Sequence, residues 1–170
     1  MTIAEQINLL ANALRPWAKA NSGHVMVASD ALDCFELLRT RPGTPTCAVL
    51  WYGREPMGEI DRLGKKINQF KIVVSRGRSL KLIPGESLTE GAAGGAPMFN
   101  LVEQAEAIAL SVRQDLDEDA DPEDALPVHL GTGPFEVNGI LLDAIEIRLS
   151  LVAQAPVQTL HDESGEINNV

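Results

Sequence analysis

Residues 100–116, NLVEQAEAIALSVRQDL, decide the fold. Apolar residues recur there every three or four positions, which predicts an α-helix with one apolar stripe, wide enough to lie across a sheet. The stripe consists of Leu101, Ala105, Ile108, Val112 and Leu116, with Val102 and Ala109 beside it. Asn100 followed by Glu103 has the form of a capping box, so we expect the helix to start there.

Segments with the pattern of β-strands lie on both sides of this helix. Residues 46–52, TCAVLWY, are continuously apolar, which favours a central strand covered on both faces. Residues 65–76 and 139–153 alternate between apolar and polar side chains, as long half-exposed strands do. Residues 24–28, HVMVA, predict a shorter strand.

A second helix is predicted at the start of the chain. Thr2 and Glu5 form a capping-box pattern, and apolar residues follow at helical spacing over 3–15. Pro16 predicts an end or a kink nearby, because proline cannot donate the helical hydrogen bond.

The segments between these elements are less regular. Residues 31–38 read as an irregular crossing rather than as helical turns, and residues 128–130 and 135–137 read as a small hairpin. Residues 77–97 form a long Gly-rich loop, of a length that tends to be functional or mobile. We therefore expect an α+β fold: an antiparallel sheet of about four or five strands with two helices on one face, long loops and a polar C-terminal tail. One domain should span 1–155, with the tail at 156–170.

Bulk composition limits the function. At 170 residues, 45% hydrophobic and 22% charged, the chain can bury a real core and is too apolar for wholesale disorder. Its net charge of −10 disfavours a general nucleic-acid binder, which needs clustered Lys and Arg. Cys34 and Cys47 match no zinc pattern and are expected to be reduced thiols of a cytosolic product. No apolar run reaches the roughly 20 residues that span a membrane, so we expect a soluble protein without a membrane partner.

A search for catalytic chemistry finds no signature. The Gly-rich stretch 91–97 precedes a helix but is neither a P-loop nor a dinucleotide fingerprint. The histidines are isolated, and the serines and cysteines lack a catalytic frame. We expect no enzymatic activity, no metal and no cofactor; the alternative is a small-ligand-binding domain or enzyme that uses the Gly-rich loop.

Charge is distributed in two opposite blocks. Residues 54–81 contain eight basic and three acidic side chains, a net charge of +5, whereas 115–124 contain seven acids and no base. The two blocks could meet head to tail between copies and close a ring; the alternative is that both are solvated surfaces. The predicted interface residues are Arg54, Lys65, Lys66, Lys71, Arg76, Arg78, Asp117, Glu118 and Asp119.

The order of elements and several local patterns resemble the tail-terminator proteins of long-tailed bacteriophages and the related tail-completion and head-to-tail joining proteins. The resemblance covers residues 1–155 and lies in the N-terminal helix and in the segments VMVAS (25–29), TCAVLWYGRE (46–55), INQFKIVVSRG (67–77), NLVEQAEAIALSVRQDL (100–116) and LLDAIEIRLSLVAQA (141–155).

The resemblance implies a structural virion protein without catalytic residues. Such proteins form a hexameric ring that docks on the last ring of the tail tube, stops its growth and presents a surface to the head. The implied partners are copies of the chain, the tail tube protein and a neck or head-completion protein, with DNA passing through the ring without specific binding. The implied location is the tail or neck of the virion, assembled in the host cytoplasm. Another neck or tail-tube structural protein is the alternative.

Overall fold

The computed structural model describes residues 1–29, 33, 36, 43–55, 65–77, 86–90, 96–117, 133–137 and 140–154. Two long helices and five strands make up most of this part of the chain. In chain order they are α1 (Ile3–Ala20), β1 (His24–Val27), β2 (Thr46–Glu55), β3 (Lys65–Gly77), α2 (Met98–Leu116), β4 (Gly133–Val137) and β5 (Ile140–Gln154), with a single helical turn at Glu86–Thr89.

The strands form one sheet in the order β1-β2-β3-β5-β4. Three of its pairings are antiparallel, as expected from the sequence. β1, however, runs parallel to β2, with His24 opposite Thr46, so the sheet is mixed and the expectation of a wholly antiparallel sheet was wrong at this edge. A parallel pair needs a crossover connection of about a dozen residues or more, and the connection over residues 28–45 between β1 and β2 is long enough to allow it.

Both helices pack on one face of this sheet, which confirms the predicted α+β class. α1 lies mainly over β1 and β2, and α2 lies over β5 and β3. The core between helices and sheet is built almost entirely from aliphatic side chains, each worth about 1.5–3 kcal/mol when buried. It contains Leu10, Leu14 and Trp17 of α1, Val49 of β2, Phe70, Ile72 and Val74 of β3, Leu101, Val102, Ala105, Ala109 and Val112 of α2, and Ile145, Ile147, Leu149 and Leu151 of β5.

The start of α1 follows the sequence prediction, but its end does not. The capping box is present: Glu5 N–H donates to Thr2 Oγ1 over 3.2 Å, and Thr2 N–H donates to Glu5 Oε2 over 2.6 Å. The helix continues through Pro16 to Ala20, so the expected end at about Arg15 was wrong, whereas the alternative of a kink at Pro16 stays a prediction.

The packing of Trp17 accounts for the continuation of α1 past Pro16. Its side chain is buried in the core, and its indole Nε1–H donates to Leu101 O of α2 over 3.0 Å. Burial of so large an aromatic side chain offsets the loss of one backbone hydrogen bond at proline, because the indole packs only while the chain stays helical.

α2 ends at Leu116 as predicted but starts earlier than predicted. Its first residue is Met98 and its N-cap is Pro97, which makes no side-chain cap hydrogen bond, so the capping box expected at Asn100 was wrong. Met98 is fully buried, and the extra turn therefore adds an apolar side chain to the core.

The contacts of α1 define two ends of the subunit. The Trp17 bond to Leu101, and a bond from Asn21 Nδ2 to Gln104 Oε1 (3.0 Å), tie the end of α1 to the first turns of α2. The first turns of α1 lie at the other end of the sheet, where Gln6 contacts Asn68 near the start of β3 and Val152 near the end of β5. We call this the distal end; the end of β2 also lies there, since Arg54 pairs with Asn68.

Several sequence predictions fall outside the described residues. They are the irregular crossing at 31–38 apart from Asp33 and Glu36, most of the 77–97 loop, the half-hairpin at 128–130, and the tail at 156–170. Residues 135–137 do form a strand within β4, and its partner is β5. The boundary between domain and tail stays a prediction.

Candidate subunit interface

A β-bulge in β2 determines which side chains the distal end presents. Trp51 pairs with Phe70 and Gly53 pairs with Gln69, so Tyr52 is an extra residue without its own partner in β3. A bulge shifts the alternation of the strand by one position and re-aims the residues that follow. Tyr52 faces away from the helices, as Ala48 and Leu50 do, and the shift places Arg54 opposite Asn68 on the helix side.

Arg54 is connected to the core by a relay of two amide side chains. Arg54 Nε donates to Asn68 Oδ1 (3.0 Å), and Asn68 Nδ2 donates to Gln6 Oε1 (2.7 Å). Gln6 Nε2 then donates to the backbone oxygen of Val152 (3.2 Å). Gln6 and Asn68 are both 0% exposed, whereas Arg54 is exposed. We call this set the amide relay.

The amide relay has a fixed direction. The Arg54 guanidinium can only donate and the Val152 carbonyl can only accept, so each amide between them must present its oxygen toward Arg54 and its nitrogen toward Val152. Aligned bonds of this kind strengthen one another in a low-dielectric interior. Among the described residues, no buried side-chain nitrogen or oxygen lacks a partner, so the relay is fully satisfied.

A second polar group lies on the outer face of the sheet, away from the helices. Glu146 Oε1 accepts from Lys71 Nζ at 2.8 Å and lies 3.3 Å from Arg148 Nε. The Tyr52 ring lies 4.9 Å from Lys71 Nζ and 5.8 Å from Arg148 Cζ. We call these four residues the outer cluster; it combines two cations, one carboxylate and an aromatic ring on β2, β3 and β5.

The outer cluster is better suited to recognition than to stability. Ion pairs that remain partly exposed contribute only about 0–1 kcal/mol. Tyrosine and arginine, by contrast, are the side chains most often found at energetically important positions of interfaces. Tyr52 is 40% exposed and lies beside the paired side chains of Lys71, Glu146 and Arg148, so its ring is available for contact with another protein.

Arg76 has a role inside the subunit, which corrects its inclusion among the exposed basic residues. It is only 4% exposed, and its guanidinium donates to Ala96 O just before α2. Burial lowers the pKa of Arg76, and the charge of Asp143, its register partner on β5, partly offsets that effect. The alternation that places Phe70 and Val74 against the helices places Arg76 there too, so strand geometry accounts for its burial.

The other predicted interface residues fall into two groups. Lys71 belongs to the outer cluster, and Lys65 and Lys66 begin β3 at the distal end, where their backbones pair with β5. Asp117 follows the last residue of α2 and is half-buried, with its N–H donating to Arg113 O. Arg78, Glu118 and Asp119 lie outside the described residues.

The opposite charges lie on different elements. Arg54 lies at the end of β2, and α1 packs over β2. Asp115, which is exposed, and Asp117 lie at the end of α2, which packs over β5 and β3.

An apolar recess of about 550 Å³ lies beside the distal end. Ile3 and Ile7 of α1 line one side of it, and Val27 and Trp51 line the other. Val27 is 49% and Trp51 40% exposed. Large apolar side chains left in water beside charged residues are typical of a surface that binds another protein.

The described residues contain one free thiol. Cys47 is a free, fully buried thiol, and burial raises its pKa well above the ordinary value, so it remains protonated and unreactive at neutral pH. Within the described part of the chain, no three His, Cys, Asp or Glu side chains come together as a metal site would require. None of the helices described has the length and apolar character to cross a bilayer.

Comparison with known proteins assigns no family to this chain: no protein-family model matches it, and no curated protein matches its sequence.

Proposed function

We propose that the protein is a structural subunit of a bacteriophage tail, which assembles into a hexameric ring that caps the tail tube and joins it to the head or neck. The observation that carries this proposal is the exposure of opposite charges at the ends of two different elements, Arg54 at the end of β2 and Asp115 at the end of α2. The proposed partners are further copies of the chain, the tail tube protein and a neck or head-completion protein.

A head-to-tail contact follows from this placement. We call the end of β2 and the start of β3, with Arg54, Lys65 and Lys66, the basic flank, and the end of α2, with Asp115 and Asp117, the acidic flank. When a contact joins two different surfaces, each subunit can bind one neighbour through its basic flank and another through its acidic flank. The row of subunits closes into a ring if the rotation between neighbouring subunits allows it. Contacts between two basic flanks or between two acidic flanks are disfavoured, because like charges repel each other.

The remaining surface suits a passage for DNA at the centre of such a ring. The chain carries a net charge of −10, which keeps phosphates from sticking to it. The outer cluster and the apolar recess supply further surface for the tube and the neck.

Native mass spectrometry of the purified chain, with class averages from electron microscopy, tests the proposal. We expect discrete closed rings of six copies, and the same density at the end of assembled tails. Monomers at every concentration, with no density on tails, would contradict the proposal. Tubes that grow without limit would instead favour the alternative, a tail-tube protein.

A charge reversal tests the basic flank. Lys65→Glu/Lys66→Glu should weaken ring formation, because both residues lie at the distal end, whereas Lys71 is better left intact since it holds the outer cluster. The matched control is Arg15→Glu/Lys19→Glu, which makes the same charge change on exposed residues near the other end of α1. An equal effect of both double variants would show that only net charge matters and would remove the flank from the proposal.

A further inference from the structure

We propose that the buried amides of Gln6 and Asn68 are positioning residues, which hold Arg54 ready to bind a carboxylate at the end of α2 of a second copy. The carboxylates are those of Asp115 and Asp117 of that copy. This inference rests on the proposed function, since it names the anchor of the head-to-tail contact.

The burial of two amides needs a reason beyond packing. Gln6 and Asn68 lie at 0% exposure next to a core of aliphatic side chains. Polar groups taken out of water lower stability unless every donor and acceptor finds a partner, and leucines of similar size would fill the same space without that risk. Besides bonding to each other and to the Val152 backbone oxygen, the two amides make the hydrogen bond that fixes Arg54.

The geometry of arginine shows what that bond achieves. A guanidinium is planar, so fixing Nε also fixes the plane in which the two Nη groups lie. The Nη groups form a fork that matches the two oxygens of a carboxylate. Arg54 is exposed, and in the described contacts only its Nε is engaged. An arginine held in this way loses less conformational freedom on binding than a free one.

The carboxylates at the end of α2 outnumber the one basic side chain of its last turn, Arg113. Asp115 and Asp117 lie at the C-terminal end of the helix, where the helix dipole is negative and disfavours further negative charge. The sequence continues with five more acids up to residue 124. An arginine from the basic flank of a neighbouring copy would relieve this repulsion.

A peptide titration tests the anchor separately from ring formation. The protein is the full chain carrying Asp115→Arg/Asp117→Arg, whose reversed acidic flank prevents head-to-tail association. The probe is a synthetic peptide of residues 111–124, SVRQDLDEDADPED. We expect the peptide to bind this protein. A further substitution in the same protein, Arg54→Ala, should abolish binding. Arg15→Ala, which removes another exposed arginine, should leave binding unchanged.

The positioning role is tested by Gln6→Leu/Asn68→Leu in the same protein. With Arg54 present but no longer held, we expect the peptide to bind about 2- to 10-fold more weakly, the factor that corresponds to immobilising one flexible side chain on binding. The Arg54 Nε–H signal in nitrogen-15 NMR should also lose its protection from solvent exchange, while the circular dichroism spectrum stays native. A purely structural role of the amides would leave both the affinity and the exchange rate unchanged, and that result would overturn the proposal.

The two proposals fail in different ways. Rings that form equally well with Arg54→Ala would remove the anchor and leave the ring. A wild-type chain that stays monomeric, together with peptide binding that depends on the amides, would remove the ring and leave the positioned arginine as a carboxylate-binding site.

Discussion

Replacing both buried members of the amide relay should cost less stability than the sum of the two single replacements. Asn68→Leu removes the donor to Gln6 Oε1 and the acceptor for Arg54 Nε. Gln6 is fully buried, so its oxygen is left without a partner and without water, at a cost of about 1–3 kcal/mol. For a chain of this size, 2 kcal/mol corresponds to a fall in Tm of roughly 4–8 °C.

The double variant Gln6→Leu/Asn68→Leu removes the stranded oxygen together with its former partner. We therefore expect it to be less destabilised than the sum of the two single variants, with a coupling free energy of about 1–2 kcal/mol. Denaturant unfolding of the four proteins of this cycle gives the coupling directly. Gln69→Leu, at the next position of β3 on the outer face, is the control and should lie within about 0.5 kcal/mol of the wild type. Additive effects of Gln6→Leu and Asn68→Leu would refute the relay.

Further predictions concern the core and the outer face. Burial raises the pKa of the Cys47 thiol in the folded state, so the thiol contributes its full stability below the unfolded thiol pKa of about 8.5, and this contribution is lost as the pH rises above that value. Cys47→Ala should therefore reduce the fall of the unfolding free energy between pH 8 and 10. An equal slope for the variant and the wild type would contradict this. Gly23→Ala would place a Cβ 2.6 Å from Pro45 O and should lower stability by about 1–3 kcal/mol, a loss measurable by thermal unfolding, since backbone must shift to make room. Glu146→Gln in the outer cluster should change unfolding free energy by less than about 1 kcal/mol; a larger loss would show that this cluster stabilises the sheet.

The spacing of apolar residues predicted the long helices and strands, because each of them buries one side in the core. The helical spacing over residues 100–116 and the alternation over 65–76 correspond to α2 and β3. The α1 extension past Pro16 was missed, since the packing of Trp17 is a tertiary contact with α2. The parallel pairing of β1 was missed for a similar reason: local sequence does not specify the direction of a strand joined through a long connection.

Two local signals in the sequence were overlooked. Gly53, inside an apolar strand, is the kind of residue that marks a bulge, and the bulge at Tyr52 is what brings Arg54 to the helix side. Asn138 and Gly139 form the dipeptide most typical of a two-residue hairpin, and Val137 does pair with Ile140.

The amide relay itself could not be predicted from the sequence. Gln6 and Asn68 are 62 residues apart and come from a helix and a strand. Each is polar and would be placed on a surface by its residue type alone. Only the fold, which brings the first turns of α1 against the start of β3, shows that they share one buried position.

The mass of the assembled particle tests the central proposal most directly. Native mass spectrometry of the wild-type chain at low ionic strength should show a closed ring of six subunits, and Arg54→Ala should shift that population toward monomers. A wild-type protein that remains monomeric at every concentration, with an unchanged spectrum for Arg54→Ala, would contradict the account.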